Sequence, residues 1–364
     1  MSMLALNAGS NGLKWAMFDE ALVELGAGEI TEEGDRAAAA ILAAQAVASG
    51  PISAVGHRVV HGGPRFRSSV VVDESTRKEL SELADLAPLH NPPALRALAA
   101  AEAALPGVPM VACFDTAFFA DLPRAATTYA IPHEWTEAWG LRKYGFHGLS
   151  HAYCAGRAAE MLGGPPGLRL VVCHLGGGCS ASAILGGKPV ETSMGFTPMD
   201  GLMMATRAGS VDPGALLNVM MHRGVDAIGL DDALNHRSGL LGVSGLSADY
   251  REVEAAAGRG DDRSRLALEV YAHRLKMTIG GLAAALGGLD AIAFTAGVGE
   301  HSSSLRAEVC RSLGFLGVRL DPSRNEAARP DTEVSAAGST ARTLVLHTRE
   351  ELVIAREVRR LVPA

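Results

Sequence analysis

The chain has 364 residues, enough for about two domains of ordinary size, and 48% of them are hydrophobic, enough to fill large cores. Its formal net charge of −7 argues against a nucleic-acid or anionic-membrane surface, either of which needs a basic patch. No apolar run approaches the ~20 residues of a membrane span, and Met1–Lys14 lacks the basic and long apolar regions of a secretory leader. The five cysteines (Cys113, Cys154, Cys173, Cys179, Cys310) are scattered and form no CxxC pair. Neither a disulfide framework nor a zinc site is expected, and a cytoplasmic location is.

In chain order, Leu4–Asn7 and Leu13–Phe18 read as strands around Gly9-Ser10-Asn11-Gly12, whose Asn-Gly step is a hairpin signal. Arg36–Ser49 reads as an alanine-rich helix stopped by Gly50-Pro51. Ser53–Val60 is a strand opening into Gly62-Gly63-Pro64, and Glu74–Leu86 is helical. Asn91 is expected to cap a helix with proline in its first turn, and Val108–Phe114 is an apolar strand ending at Asp115. The second half repeats the plan. Helix His151–Leu162 is followed by strand Leu168–His174, glycines 176–178, strand Ser180–Leu185 and a third strand after Gly186-Gly187. In Arg263–Leu286 the residues Leu268, Tyr271, Leu275, Ile279, Leu282 and Leu286 recur at steps of three and four, one buried helical stripe. Asp290–Thr295 is a strand running into Ala296-Gly297-Val298-Gly299, and Val345–Leu346 with Glu350–Leu361 close the chain as strand and helix. Two related α/β halves with a cleft between them follow, divided softly near Asp115–Ala117.

A tight turn between two strands can aim successive backbone N–H groups at one phosphate, and glycine lets that phosphate come close. Gly9–Gly12, Gly176–Gly178 and Gly297–Gly299 each follow an apolar strand. None matches GxxxxGK[ST], which excludes a P-loop, and none forms GxGxxG in a βαβ unit, which argues against a dinucleotide fold. Asp115 ends an apolar strand, where α/β sheets place reactive groups. Thr348-x-x-Glu351 reads as a capping box at the start of the last helix.

The stretches LALNAGSNGLK, GHRVVHGG, LAPLHNPP, CFDTAF, RKYGFHGLSH, CHLGGGCSASA, ETSMGFTPMDGLMMATR, SGLLGVSGLSADYR, GGLDAIAFTAGVGEHS and TREELVIA resemble, in this order, those of acetate kinases. The resemblance runs nearly the length of the chain. It implies the duplicated actin-like ATPase (ribonuclease H-like) α/β fold, two domains with a central nucleotide cleft. Residues 1–116 with 352–364 would form an N-terminal lobe and residues 117–351 a nucleotide-binding C-terminal lobe. It also implies a homodimer, and reversible transfer of the ATP γ-phosphoryl group to acetate. The chain departs from the family at Asn11-Gly12, where serines are usual, at Gly177 (Asn), at Ser210 (an acidic residue) and at His301 (Asn), and it is shortened between Asp19 and Gly50.

Phosphorylating a carboxylate brings two anions together, at a cost of about 4 kcal/mol for unit charges ~4 Å apart at an effective dielectric constant near 20. Cations must therefore surround the transferring group. The resemblance makes Arg58 the grip on the acid, Arg207 the partner of the phosphoryl oxygens and His147 a hydrogen-bond donor to them; guanidinium suits two-point binding of both anions. Asp115 is expected to orient Arg58 or metal-bound water rather than act as a base, because a carboxylate substrate is already ionised at pH 7. Magnesium, or manganese in its place, would be held by Asn7 and Glu350, with Glu351 left to the capping box. Lys14, Ser10, His174 and Gly176, Gly177 and Gly178 would hold phosphates. Asp249, Arg251, Gly297, Val298, Gly299, Glu300 and His301 would lie along the nucleoside, and Val60, Leu89, Phe146 and Pro198 would wall the pocket for the methyl group. His61, His90 and His151 are weaker candidates. The open alternatives are a propionate or butyrate kinase of the same family, a hydroxyl kinase or phosphoanhydride hydrolase, and a non-catalytic actin-like nucleotide switch.

Overall fold

The computed structural model describes residues 2–9, 12–31, 35–48, 50–83 and 91–363. Ser10, Asn11, Leu89 and His90 lie outside the described residues. The chain divides into two compact units: Met1–Asp121 with Phe146–Tyr153 and Arg349–Ala364, and Leu122–Gly145 with Cys154–Thr348.

The first unit is built on strands β1 (Met3–Ala8), β2 (Leu13–Phe18), β3 (Glu24–Ile30), β4 (Ala54–Val59), β5 (Val70–Val71) and β6 (Met110–Phe114), in the order β3-β2-β1-β4-β6-β5. β1 pairs antiparallel with β2 and parallel with β4, which pairs parallel with β6. Side chains alternate along each strand. Leu4, Leu6, Ala8 and Val55 therefore join a core with Trp15, Ala40, Ile41 and Ala101 on one face. Met3, Ala5, Ala54, Val111 and Cys113 pack on the other face against Ile354, Ala355 and Val358 of the last helix, Glu350–Leu361.

The second unit carries β7 (Arg169–Leu175), β8 (Cys179–Leu185), β9 (Lys188–Thr192), β10 (Ala291–Thr295), β11 (Thr332–Glu333) and β12 (Arg342–Val345). Read from β9, its order β9-β8-β7-β10-β12-β11 repeats the first sheet, with the same antiparallel and parallel pairings. The duplication expected from the sequence is thus present in the strands. The long helix Asp262–Ala285 buries Tyr271, Leu275, Ile279 and Leu282, the predicted stripe.

Three local expectations are corrected. Gly297–Gly299 is not a strand-to-strand turn; β10 passes directly into a short helix, Ala296–His301. Asn91 opens the helix Asn91–Ala104, but its amide serves β4's continuation instead of capping: Oδ1 accepts from the His61 N–H, and Nδ2 donates to the carbonyls of His61 and Leu83. The last helix begins after Arg349 with no side-chain cap, and the Thr348 hydroxyl is buried without a partner, so the Thr348-x-x-Glu351 box does not form. All five cysteines are buried and none is in a disulfide.

Candidate active site

On the face of the first sheet that meets the last helix, three apolar runs end in polar side chains. Met3 and Ala5 lead to Asn7, Ala54 and Gly56 to Arg58, and Val111 and Cys113 to Asp115. Period two puts these ends side by side, because β1, β4 and β6 are adjacent and parallel. Gly56 is required for what comes next. A Cβ there would stand 2.3 Å from Ile354 Cγ2 and 2.7 Å from Val358 Cγ2. The helix can therefore lie close, and Glu350, on the same stripe as Ile354 and Val358, reaches the strand ends.

Arg58 is the centre of this cluster. Its Nε donates to Asp115 Oδ1 and Oδ2 (3.2 and 3.1 Å), its Nη2 to Oδ2 (2.6 Å) and its Nη1 to Asn7 Oδ1 (3.1 Å). Glu350 Oε2 lies 4.0 Å from Arg58 Nε. Burial alone would push the guanidinium down, but the charges of Asp115 and Glu350 outweigh it and hold Arg58 above its ordinary range. Burial pushes the Asp115 carboxyl up, against the pull of Arg58 and of the His147 backbone N–H. The two-point contact keeps the pair ionised. Three of the five guanidinium N–H groups are used, one on each nitrogen, which leaves one on each terminal nitrogen for a ligand. Breaking so buried a pair from one side costs about 3–5 kcal/mol.

His147 has φ of 59°, in the left-handed region, and Gly148 follows it against Asp115: a Cβ on Gly148 would meet the Asp115 carbonyl at 1.9 Å. Strained non-glycine backbone persists where its surroundings fix it, often at functional positions. Phe146 is buried edge-on to His61 (5.3 Å between ring centroids), and Val60 is buried beside it in sequence. Lys14 is exposed on β2, opposite Asn7 in register.

Asn7 Nδ2 donates to Glu350 Oε2 and to Glu351 Oε1, both at 2.9 Å. Glu351, read from sequence as a helix cap, thus belongs to the site. Asp115, Glu350 and Glu351 set three carboxylates against one guanidinium. All the donors are oxygens, and the surplus charge is negative. That fits a small hard cation that keeps most of its water. No cluster of three or more His, Cys, Asp or Glu able to cage a metal occurs among the described residues.

In the second unit the glycine turn at residues 176–178 joins β7 to β8. Gly176 N–H donates to Gly178 O (3.0 Å), and His174 Nε2 would lie 3.7 Å from a Gly176 Cβ. Ala205 N–H donates to Gly177 O (3.1 Å) and Met204 N–H to Arg207 O (3.1 Å), which ties the Arg207 loop to the turn. The loop is closed at its far end by Ser210, whose hydroxyl donates to Asp200 Oδ1 (2.6 Å). Burial pushes the Arg207 guanidinium down and the Cys179 thiol up to about 11. Pro198 is half-buried in the same unit. Asp249 caps helix Tyr250–Gly258 and pairs with Arg251 (Nη2 to Oδ2, 2.6 Å), so these two candidates hold each other. Glu300 is buried and turned inward: Oε1 accepts from the Ala296 N–H (3.0 Å), and Oε2 lies 2.9 Å from His347 Nδ1. His301 is exposed at the end of that helix.

The sequence profile of the acetokinase family matches residues 27–356. The chain belongs to that family, phosphotransferases whose acceptor is a carboxyl group. The acetate kinase of Cyanothece sp. is 49% identical over 312 residues, 85% of this chain and 76% of that protein. The solved acetate kinase of Porphyromonas gingivalis superposes with a TM-score of 0.91 at 36% identity, covering 99% of both chains. A propionate kinase from Francisella tularensis gives 0.90 at 33% identity over 99% of this chain and 100% of its own. The duplicated six-stranded sheets are therefore those of the actin-like fold that this family shares.

Proposed function

We propose that this chain is an acetate kinase, transferring the γ-phosphoryl group of ATP reversibly to acetate to give acetyl phosphate and ADP. The observation that carries the reading is Arg58, fixed by Asp115 and Asn7 with one hydrogen left on each terminal nitrogen. A guanidinium so held binds a carboxylate at two points without rearranging. The acid arrives ionised, so attack on phosphorus needs no base. Asp115 is committed to Arg58 and serves as its anchor. Arg207 takes equatorial oxygens of the transferring phosphoryl group, and His147 donates a hydrogen bond to them. In the in-line transition state charge is spread over those three oxygens in a planar arrangement, so donors fixed for that geometry act mainly on the transition state.

Magnesium, when bound, neutralises phosphate charge. Asn7, Glu350 and Glu351 are the residues that would hold it through few direct ligands and water. Lys14, Ser10, His174 and Gly176–Gly178 take ATP phosphates, while Asp249, Arg251 and Gly297–His301 serve the nucleoside. Val60, Leu89, Phe146 and Pro198 contact the methyl group. The propionate kinase likeness favours one second reading, a longer acid as preferred substrate; one methylene changes binding by only about 1–3 kcal/mol.

A cytoplasmic homodimer goes with this reading. It is supported by the five buried cysteines, none in a disulfide, and by helices Pro213–Arg223 and Ala227–His236, which bury no residue and expose Leu217, Met221 and Ile228. Among the described residues no helix is long and apolar enough to cross a membrane. The test is trapping of acyl phosphate as hydroxamate, run with acetate, propionate and butyrate against ATP and pyrophosphate, with and without chelator. Acetate with ATP and magnesium should give the highest kcat/KM. ATP turnover independent of any acid would overturn the reading.

A further inference from the structure

Arg306 is one of the largest fully buried side chains of the molecule, 1% exposed, and belongs to none of the motifs that carry the chemistry. It lies in the first half of helix Ser303–Arg311, on the buried stripe with Val309 and Cys310. Its guanidinium makes four hydrogen bonds, all to neutral oxygens. Nη1 donates to the carbonyls of Gly299 and Glu300 (2.9 Å each), Nη2 to the Asn325 carbonyl (2.9 Å) and Nε to Asn325 Oδ1 (2.8 Å). Asn325 is itself fixed, its Nδ2 donating to Ser303 O (2.8 Å).

Such an arrangement is poor value as a stability device. Desolvating a cation without an ionic partner is costly, and an apolar side chain of similar size would fill the space more cheaply. What the guanidinium does is specific to one short element. Helix Ala296–His301 is six residues long, too short to hold its own shape by internal bonds. The carbonyls near its C-terminal end have no intrahelical partners, and Arg306 supplies them. At the other end, Ala296 has φ of 65°, and its N–H is held by the Glu300 carboxylate. The segment Gly297–Gly299 is thus clamped at both ends, and Arg306 need not touch any ligand to do so.

We propose that Arg306, anchored by Asn325, is a positioning residue for nucleotide: it holds the Ala296–His301 backbone in the shape that receives the adenosine side of ATP. The inference rests on that segment's assignment to the nucleotide. Removing the guanidinium leaves two buried carbonyls unpaired at the segment's end, and the segment relaxes. The acid-binding cluster around Arg58 belongs to the other compact unit and does not share these bonds.

The experiment is a full initial-rate matrix in ATP and acetate for the unmodified enzyme, Arg306→Met, Arg306→Lys and Asn325→Ala. Arg306→Met should raise the ATP KM at least tenfold while the acetate KM stays within twofold. Arg306→Lys keeps the charge but cannot span the same acceptors, so it should recover only part of the loss. Asn325→Ala removes one anchor and should shift the ATP KM the same way by a smaller factor, and it gives the reading if Arg306→Met is not obtained folded. Equal rises in both KM values, or an unchanged ATP KM in Arg306→Met or Asn325→Ala, would overturn the inference. If the unmodified enzyme itself fails to saturate with ATP, the nucleotide assignment fails instead, and the two failures are told apart by that first curve.

Discussion

The two sheets share strand order and pairing sense yet differ in what they place at the ends of their central strands. Counting back along paired residues, Asn7 corresponds to His174, His57 to Phe294 and Arg58 to Thr295. In the first sheet the ends carry long charged or amide side chains, braced by each other and by Glu350 and Glu351. In the second they carry His174, a glycine turn and a short helix, and on the proposed function most contacts to phosphate there come from backbone N–H, with Arg207 added from a loop. On that function one scaffold would serve two anions differently: a small carboxylate would be met by a guanidinium fork of fixed direction, and a polyphosphate by backbone that glycine leaves open. The lesson is that substitution should be punished unequally: removing side chains hurts the first sheet, whereas the second is sensitive to backbone shape.

The largest effect is expected at Arg58. Arg58→Ala removes the fork and strands Asp115, so kcat/KM for acetate should fall about a thousandfold or more, a loss of about 4 kcal/mol. A loss under tenfold would erase the contrast between the sheets. Asp115→Asn keeps the shape but weakens the anchor. It should cost about a hundredfold in kcat/KM for acetate, with the pH–rate profile between pH 6 and 8 unchanged in form; disappearance of an acidic limb would make Asp115 a base after all.

His57 sharpens the comparison through stability. Burial pushes its imidazole down to about 3, and Nε2 has no partner. The unfolded chain takes that proton near pH 6.5, so the unfolded state binds more protons below this value. Stability from this residue is therefore complete above pH 6.5 and declines as pH falls toward 3, by up to about 1.4 kcal/mol per pH unit. His57→Phe, which copies the second sheet's Phe294, should flatten urea-measured stability between pH 6.5 and 5. An unchanged slope would assign acid sensitivity elsewhere.

Smaller effects follow at the apolar wall and at the turn. Val60→Ala should shift the propionate-to-acetate ratio of kcat/KM toward propionate by about tenfold or less; no shift removes Val60 from the wall. At Gly177 a Cβ would meet nothing within 4 Å. Gly177→Asn should therefore fold normally and change the ATP KM by less than about threefold, since the turn works through backbone.

Much of this was legible in the sequence because apolar runs that end in polar residues mark strand ends. Asp115 announces itself that way and Gly176–Gly178 as a glycine turn after an apolar strand, whereas the roles of Asn7 and Arg58 come from the resemblance to acetate kinases. Other features left weaker traces. β3 is an edge strand with mostly exposed or half-buried residues, so Glu24–Ile30 carries no alternation. Helices Pro213–Arg223 and Ala227–His236 bury no side chain, and their apolar residues, Leu217, Met221 and Ile228 among them, stand exposed. Glu351 was masked by a local motif: Thr348-x-x-Glu351 has the letters of a cap, but Asn7, 344 positions away, takes its carboxylate. Arg306 gave one signal, a charge at helical spacing from Val309 and Cys310, which only the fold explains.

The most direct test of the unequal division is amide hydrogen exchange of the unmodified protein with and without saturating ATP and magnesium. Amides of residues 176–178 and 297–299 should become strongly protected. Full ATP saturation by activity, with exchange at those six amides unchanged, would contradict a backbone cradle in the second sheet.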